Sequence, residues 1–185
     1  MGAVALYLLL PILVIAGVSL NAKKVLFFPP QGVSLRWYRE FFTQADWSAP
    51  ALRSVVVALL AGVIAVSIAA PLAYVVWRWG TRLSRAVLLL GFAPFALPPV
   101  VTALGALVLW IVLRSFGQPY TVVLSHGVFL VTLPLATIML GFAGLNREVV
   151  EAAVTMGATP ATVARTVVWP NLRPYVVAGY IFAFV

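Results

Sequence analysis

The sequence predicts an all-α polytopic membrane protein with four full spans and the start of a fifth. Three observations carry this prediction: 64% of the 185 residues are hydrophobic, only 9% are charged, and four long runs contain no Asp, Glu, Lys or Arg. An ordinary soluble domain has roughly a quarter of its residues charged. A helix crossing a hydrocarbon core about 30 Å thick needs roughly 20 apolar residues. The net charge of +8 comes from twelve Lys and Arg against four Asp and Glu. These basic residues form short strings between apolar runs, not one basic face, so the expected partner is the lipid bilayer and not nucleic acid. With no Cys and one His, the chain has no disulfide framework, thiolate site or His cluster, and no metal is expected.

The chain reads as a single incomplete domain over 1–185. The first span covers 3–20 (AVALYLLLPILVIAGVSL). A secretory signal peptide is the other reading of this run, but it lacks a basic leading region and a small-residue cleavage site before Asn21. The loop 21–53 carries Trp37, Tyr38, Phe41, Phe42 and Trp47 at roughly helical spacing, as expected of an amphipathic segment lying at headgroup depth. The second span, 54–77, is followed by a tight turn, 78–85, with Arg78, Arg82 and Arg85.

The third span, 86–113, contains Pro94, Pro98 and Pro99 near its middle. Each proline lacks a backbone donor and clashes with the preceding turn, so the helix must break there. Irregular backbone at that depth is tolerated only inside protein or beside a water-filled cavity. Two readings stand: a translocation path or hinge involving Pro94, Pro98, Pro99 and Thr102, or a kink that serves packing. Pro71 and Pro134, nearer span ends, read as kinks, and the hydroxyls of Ser67, Thr102, Thr132 and Thr137 either line a polar route or, as is more common, bond their own helix carbonyls. After a turn at 114–120, the fourth span covers 121–145. It holds His126, whose position near a span end favours a neutral, hydrogen-bonded role over a proton or substrate site. The last apolar run, 175–185, is 11 residues long, about 16 Å of helix. It would stop halfway across a membrane with unpaired backbone groups in hydrocarbon, so the sequence is expected to be a fragment.

Segment 146–174 differs from the other connections. Asn146 fits an N-cap, Glu148 meets the positive end of the helix that follows, and Gly157 suits the left-handed position after its C-terminus. Thr159-Pro160 repeats the start signal, and Trp169-Pro170 is expected to stop the second helix. Glu151 is followed by Ala152 and Ala153, small residues that let another backbone approach. A carboxylate beside a small apolar surface suits insertion into a partner's groove; a solvated surface loop explains the same residues. Arg147 and Glu148 add docking charges or are merely solvated. Counting basic residues does not orient the chain, because the loops on each side hold six.

The series Glu151-Ala152-Ala153, three residues, Gly157, nine residues, Val167-x-Trp169-Pro170 resembles the EAA loop of permease subunits of ATP-binding-cassette importers. The spacing agrees throughout; Val167 and Trp169 replace the usual Ile and Leu. The remaining chain is similar to the spermidine/putrescine branch at Ser34-Leu35-Arg36-Trp37-Tyr38, Ala73-Tyr74, Leu97-Pro98-Pro99-Val100-Val101, Leu124-Ser125-His126 and Leu133-Pro134. The resemblance implies a type I importer fold, usually of six spans, and a multi-pass protein of the bacterial inner membrane. It also implies that 146–174 is cytoplasmic, the N-terminus is cytoplasmic and 21–53 is external. Glu151, Ala152, Ala153, Gly157 and Pro170 would then couple to cytoplasmic ATPase subunits. Further implied partners are a second, different permease subunit and a periplasmic or extracellular substrate-binding protein. The chain itself has no Gly-rich phosphate loop with a Lys, so it binds no cofactor and the ATP is used by the partner.

The resemblance implies transport of a polyamine or another small solute, sulfate, ferric iron and thiamine permeases being similar. The four spans contain no carboxylate to receive a polycation. A membrane-embedded enzyme is the alternative from another class, and Ser125 beside His126 is the nearest thing to a catalytic pair. Adjacent helical residues point about 100° apart, which places them poorly as nucleophile and base. A self-contained channel would not need the helix pair at 146–174. Dependence on an ATPase separates the permease from both.

Overall fold

The computed structural model describes residues 2–25 and 27–185, so Met1, the first residue of the predicted domain, lies outside the description. Among the described residues the chain is all-α, with an isolated antiparallel bridge between Asn21 and Val33. It divides into two compact units, the first ending at Ser54 and the second covering Val55–Val185.

The first unit holds α1 (Gly2–Ser19), α2 (Arg36–Thr43) and the beginning of α3 (Ala45–Trp79). Asn21, only 2% exposed, organises the connection between α1 and α2. Its amide donates to the Val25 carbonyl at 2.9 Å, and Oδ1 accepts from the backbone N–H groups of Lys23 and Gln31, each at 3.2 Å. The Asn21 carbonyl accepts from Trp37 Nε1 at 2.7 Å. A buried amide that satisfies this many partners fixes the loop more firmly than apolar contact would.

Helix α3 begins nine residues before the apolar run expected from Ser54. Asp46 in its first turn suits the positive helix end. At 35 residues it is about 52 Å long, more than a hydrocarbon core requires. Within the second unit its Ala61, Ala65, Ala69 and Ala73 recur every fourth residue and are all 0% exposed. A ridge of small side chains on one helix face lets neighbouring backbones approach, which is how helices associate where lipid removes the hydrophobic drive between them.

Helices α4 (Arg82–Ala96) and α5 (Pro99–Val112) meet at 105°. Leu97 and Pro98, each followed by a proline, are held extended at ψ 143° and 134°. The expected break is therefore a corner, sharper than a kink. Helices α6 (Pro119–Phe129) and α7 (Thr132–Ala143) form one apolar stretch of 25 residues interrupted by a single turn. Pro134 lies in the first turn of α7, where its missing donor costs little, and Leu133 N–H donates to Leu130 O at 3.2 Å. Among the described residues, two helical stretches can cross a membrane by length and composition, Ala45–Trp79 and Pro119–Ala143, and the α4–α5 pair makes a third if it counts as one span. The chain is thus an all-α membrane protein.

Beyond α8 (Arg147–Thr155) and α9 (Pro160–Val163), a π-helical turn at Ala164–Val168 leads into α10 (Trp169–Phe184). The expected stop at Trp169-Pro170 does not occur. The wider turn lets Trp169 N–H reach the Ala164 carbonyl five residues back, and Pro170 then sits at the start of a new α-helical register, where it needs no donor. Asn171 Nδ2 donates to the Val167 carbonyl at 2.7 Å, adding a side-chain bond across the junction. Helix α10 consequently starts six residues before the run expected from Tyr175.

Helices α7 and α10 pack most closely. A Cβ added at Gly179 would lie 2.5 Å from Thr137 Oγ1 and 2.6 Å from Pro134 Cα, and one added at Gly141 would lie 2.7 Å from the Tyr175 ring. Gly179→Ala is therefore expected to destabilise the detergent-solubilised protein by ~1–3 kcal/mol, seen as a lower midpoint in a thermal aggregation assay. Gly105→Ala, whose added Cβ meets nothing within 4 Å, should leave that midpoint unchanged or raise it.

Candidate functional site: the helix pair after α7

The segment after α7 is built from its caps. The Asn146 side chain accepts from Glu148 N–H at 2.8 Å and starts α8; the Thr159 side chain accepts from Thr162 N–H at 3.3 Å and starts α9. Gly157 between them adopts φ +84°, a left-handed conformation that costs an L-residue roughly 1–2 kcal/mol. The N–H groups of Met156, Gly157 and Ala158 donate to the carbonyls of Ala152, Val154 and Ala153, closing the end of α8.

One face of α8 turns toward the second unit's core, where Val150 and Ala153, with Ala158 just beyond the helix, are partly buried against a cluster that includes Leu145, Val163, Val168 and Leu172. The other face is exposed, with Glu148, Glu151, Ala152 and Met156, the last 83% exposed. Glu151 has no ion-pair partner among the described residues. It borders a cleft of about 390 Å³ between the end of α3 and the α8–α9 pair, whose lining includes Tyr74, Trp77, Arg78, Arg147 and Val163. Two arginines beside one carboxylate leave this rim net positive.

Arg147, read from sequence as either a docking charge or a solvated one, has a third role. Its guanidinium donates to the Trp77 carbonyl at 3.4 Å. Trp77 belongs to the last turn of α3, where carbonyls have no intrahelical partner and the helix dipole favours a cation. Arg147 thus ties α8 to the end of α3. Beneath this tie, Trp77 stacks on Phe142 with ring centroids 5.0 Å apart, and Tyr74 lies 6.3 Å from Phe142. The sequence does not mark the Tyr74-Trp77-Phe142 cluster as a support for α8. Its only sequence signal is the density of aromatics at the ends of two runs.

The other candidates lie apart. Pro98 and Pro99 are exposed at the α4–α5 corner, Pro94 is half-buried within α4, and Thr102 Oγ1 donates to the Pro99 carbonyl at 2.9 Å. Thr137 likewise bonds its own helix, at Pro134 O (3.0 Å), whereas the buried Thr132 donates across to Gly91 O at 2.9 Å and stitches α7 to α4. His126 Nδ1 is 2.9 Å from the Val122 carbonyl, and Ser125 Oγ accepts from Trp110 Nε1 at 2.8 Å. The two neighbours have separate partners.

Gly157→Ala should loosen the turn by roughly 1–2 kcal/mol, measured as faster hydrogen exchange of α8 amides while those of α7 are unchanged. Arg147→Ala should speed exchange in α8 by a smaller factor, because its bond is long and exposed.

No family model matches the chain. Curated proteins do. It is 28% identical to the spermidine/putrescine transport system permease protein PotC of Haemophilus influenzae, over all of this chain and 71% of that protein. It is 29% identical to the putrescine transport system permease protein PotI of Escherichia coli K12, over 96% of this chain and 66% of that protein. PotC of the same strain is 26% identical over all of this chain and 69% of its own length. The chain therefore spans about two thirds of these relatives, and over nearly its whole length it is similar to spermidine/putrescine and putrescine transport permeases, the branch that the segments outside the EAA loop resemble.

Proposed function

We propose that this chain is the core of a permease subunit of an ATP-driven importer, in which α8 is the helix that docks on a cytoplasmic ATPase. One observation carries the reading: the EAA segment forms a short capped helix that packs by one face and leaves Glu151, Ala152 and Met156 exposed on the other. The small side chain of Ala152 permits close approach, and Glu151 is the acceptor for a cation on the ATPase. Gly157 sets the turn, and Pro170 follows the π-helical turn that leads into α10. Glu148 has its backbone N–H in the cap and its carboxylate available for docking.

The coupling is mechanical. A displacement of α8 by the ATPase is passed to α3 through Arg147 and the Trp77-Phe142 stack, and to α10 through Val163, Val168 and Leu172. ATP binding draws two ATPase subunits together, the docked helices move with them, and the spans rock to open a path outward; hydrolysis restores the inward state. This chain performs no bond-making step and holds no cofactor. The α4–α5 corner at Pro98-Pro99 is the place where the spans can hinge, with Pro94 and Thr102 beside it.

In this reading the protein is a multi-pass component of the bacterial inner membrane with a type I importer fold and a cytoplasmic N-terminus. The four apolar runs cross the bilayer, and α10 begins the fifth. A second, different permease subunit completes the path, and a substrate-binding protein delivers the solute. The similarity to polyamine transport permeases favours a polyamine over sulfate, ferric iron or thiamine. Because the spans carry no carboxylate, recognition of the polycation is assigned to the binding protein and the partner permease.

The test is affinity co-purification of the full-length protein from its native membrane, wild type against Glu151→Arg. An ATP-binding-cassette ATPase should accompany the wild type, and charge reversal should reduce its recovery at least about ten-fold, the equivalent of ~1.4 kcal/mol. Absence of an ATPase from the wild-type eluate contradicts the permease reading. Full retention by Glu151→Arg removes Glu151 as the docking contact.

A further inference from the structure

The first unit contains a groove that the transport reading does not use. It is about 850 Å³ and is floored by Val14, Ile15 and Val18 of α1, walled by Trp37, Phe41 and Phe42 of α2, and rimmed by Lys23 and Lys24. Its lining is almost wholly apolar, yet both cations stand at one end.

That polarity defines an amphiphile. The floor belongs to an apolar helix whose side chains need hydrocarbon, so the deep end of the groove lies at acyl-chain depth. The lysines follow the last turn of α1, where a chain leaving the membrane meets the headgroups, and the aromatic wall is of the kind that collects at that interface. Ammonium groups at this depth attract anionic headgroups, and their own stems cover the apolar floor.

The site is also built in advance. Asn21, buried at the base of the loop, holds the backbone of Lys23 and Gln31 through one carbonyl oxygen. Lys23 Nζ donates to Gln31 Oε1 at 2.8 Å, which aims the ammonium while leaving it further donors. Ser19 Oγ and Tyr38 Oη are 2.7 Å apart, and Trp37 Nε1 is fixed on the Asn21 carbonyl, so α2 is fastened over the end of α1. Arg36 is otherwise engaged, with Glu40 3.5 Å away and the Trp37 ring 4.4 Å away. Lys23 and Lys24 are left as the charges that face the groove.

We propose that this groove binds one anionic phospholipid, its acyl chain along Val14 and Val18 and its phosphate at Lys23 and Lys24. The inference is independent of the transported solute and needs only the membrane reading of α1.

The experiment uses the intact transporter in phosphatidylcholine vesicles, with spin-labelled phosphatidylglycerol or spin-labelled phosphatidylcholine as the probe. The motionally restricted fraction gives the relative association of each lipid. A lysine near a membrane surface contributes roughly a five-fold preference. The wild type should therefore restrict the phosphatidylglycerol label at least about five-fold more strongly, and Lys23→Gln/Lys24→Gln should bring the ratio close to that of the neutral probe. Val18→Trp, which fills the groove but keeps both lysines, should abolish the preference too, whereas Arg114→Gln should preserve it. Equal restriction of the two probes by the wild type overturns the proposal, as it would if a partner subunit covered the groove. So does a preference that survives Val18→Trp, because the lipid would then be held by surface charge alone.

Discussion

A backbone in hydrocarbon has no water to bond, so every carbonyl and N–H must find its partner within protein, and the irregular parts of this molecule follow from that constraint. The consecutive prolines at 98 and 99 remove two donors, and the chain answers with a corner of 105° instead of a strained continuous helix. Pro170 removes another, and a π-helical turn just before it shifts the register so that the proline falls at a helix start. At the end of α3, the Trp77 carbonyl is taken by Arg147 from a distant part of the chain. The last of these ties the exposed α8 to the end of a membrane helix.

Packing follows a second rule. Between apolar helices in lipid there is little hydrophobic gain, so association depends on how closely backbones come together. The alanine ridge of α3 and the glycines at 141 and 179 supply that approach in the second unit. Larger side chains at the same positions would add apolar area and lose contact. Rigidity of this kind is what the proposed transmission of a displacement from α8 to α3 and α10 requires.

Much of the α8 region was legible because its signals are local. Asn146, Thr159 and Gly157 act within one or two turns of their own position, and each is found at the cap or turn that its chemistry predicts. What was not legible depends on distant partners. Nothing near Arg147 indicates that it bonds a residue 70 positions earlier, and the Trp77-Phe142 stack joins two runs that read separately as apolar. Trp169-Pro170 misled for a related reason. A proline stops a helix only if the register is fixed, and a π-helical turn releases it. The early start of α3 arose because hydropathy marks the membrane-crossing part, whereas helix formation also continues into polar sequence.

The proposed contact between the exposed face of α8 and a cytoplasmic ATPase unites these features. These 185 residues contain no Cys, so a single engineered thiol can probe that contact. Ala152→Cys, labelled with a benzophenone maleimide in native membranes and irradiated, is predicted to yield an adduct with an ATP-binding-cassette ATPase, while Lys24→Cys treated in the same way yields none. An ATPase adduct formed from position 24 and not from position 152 would contradict both the docking face and the orientation of the chain in the membrane.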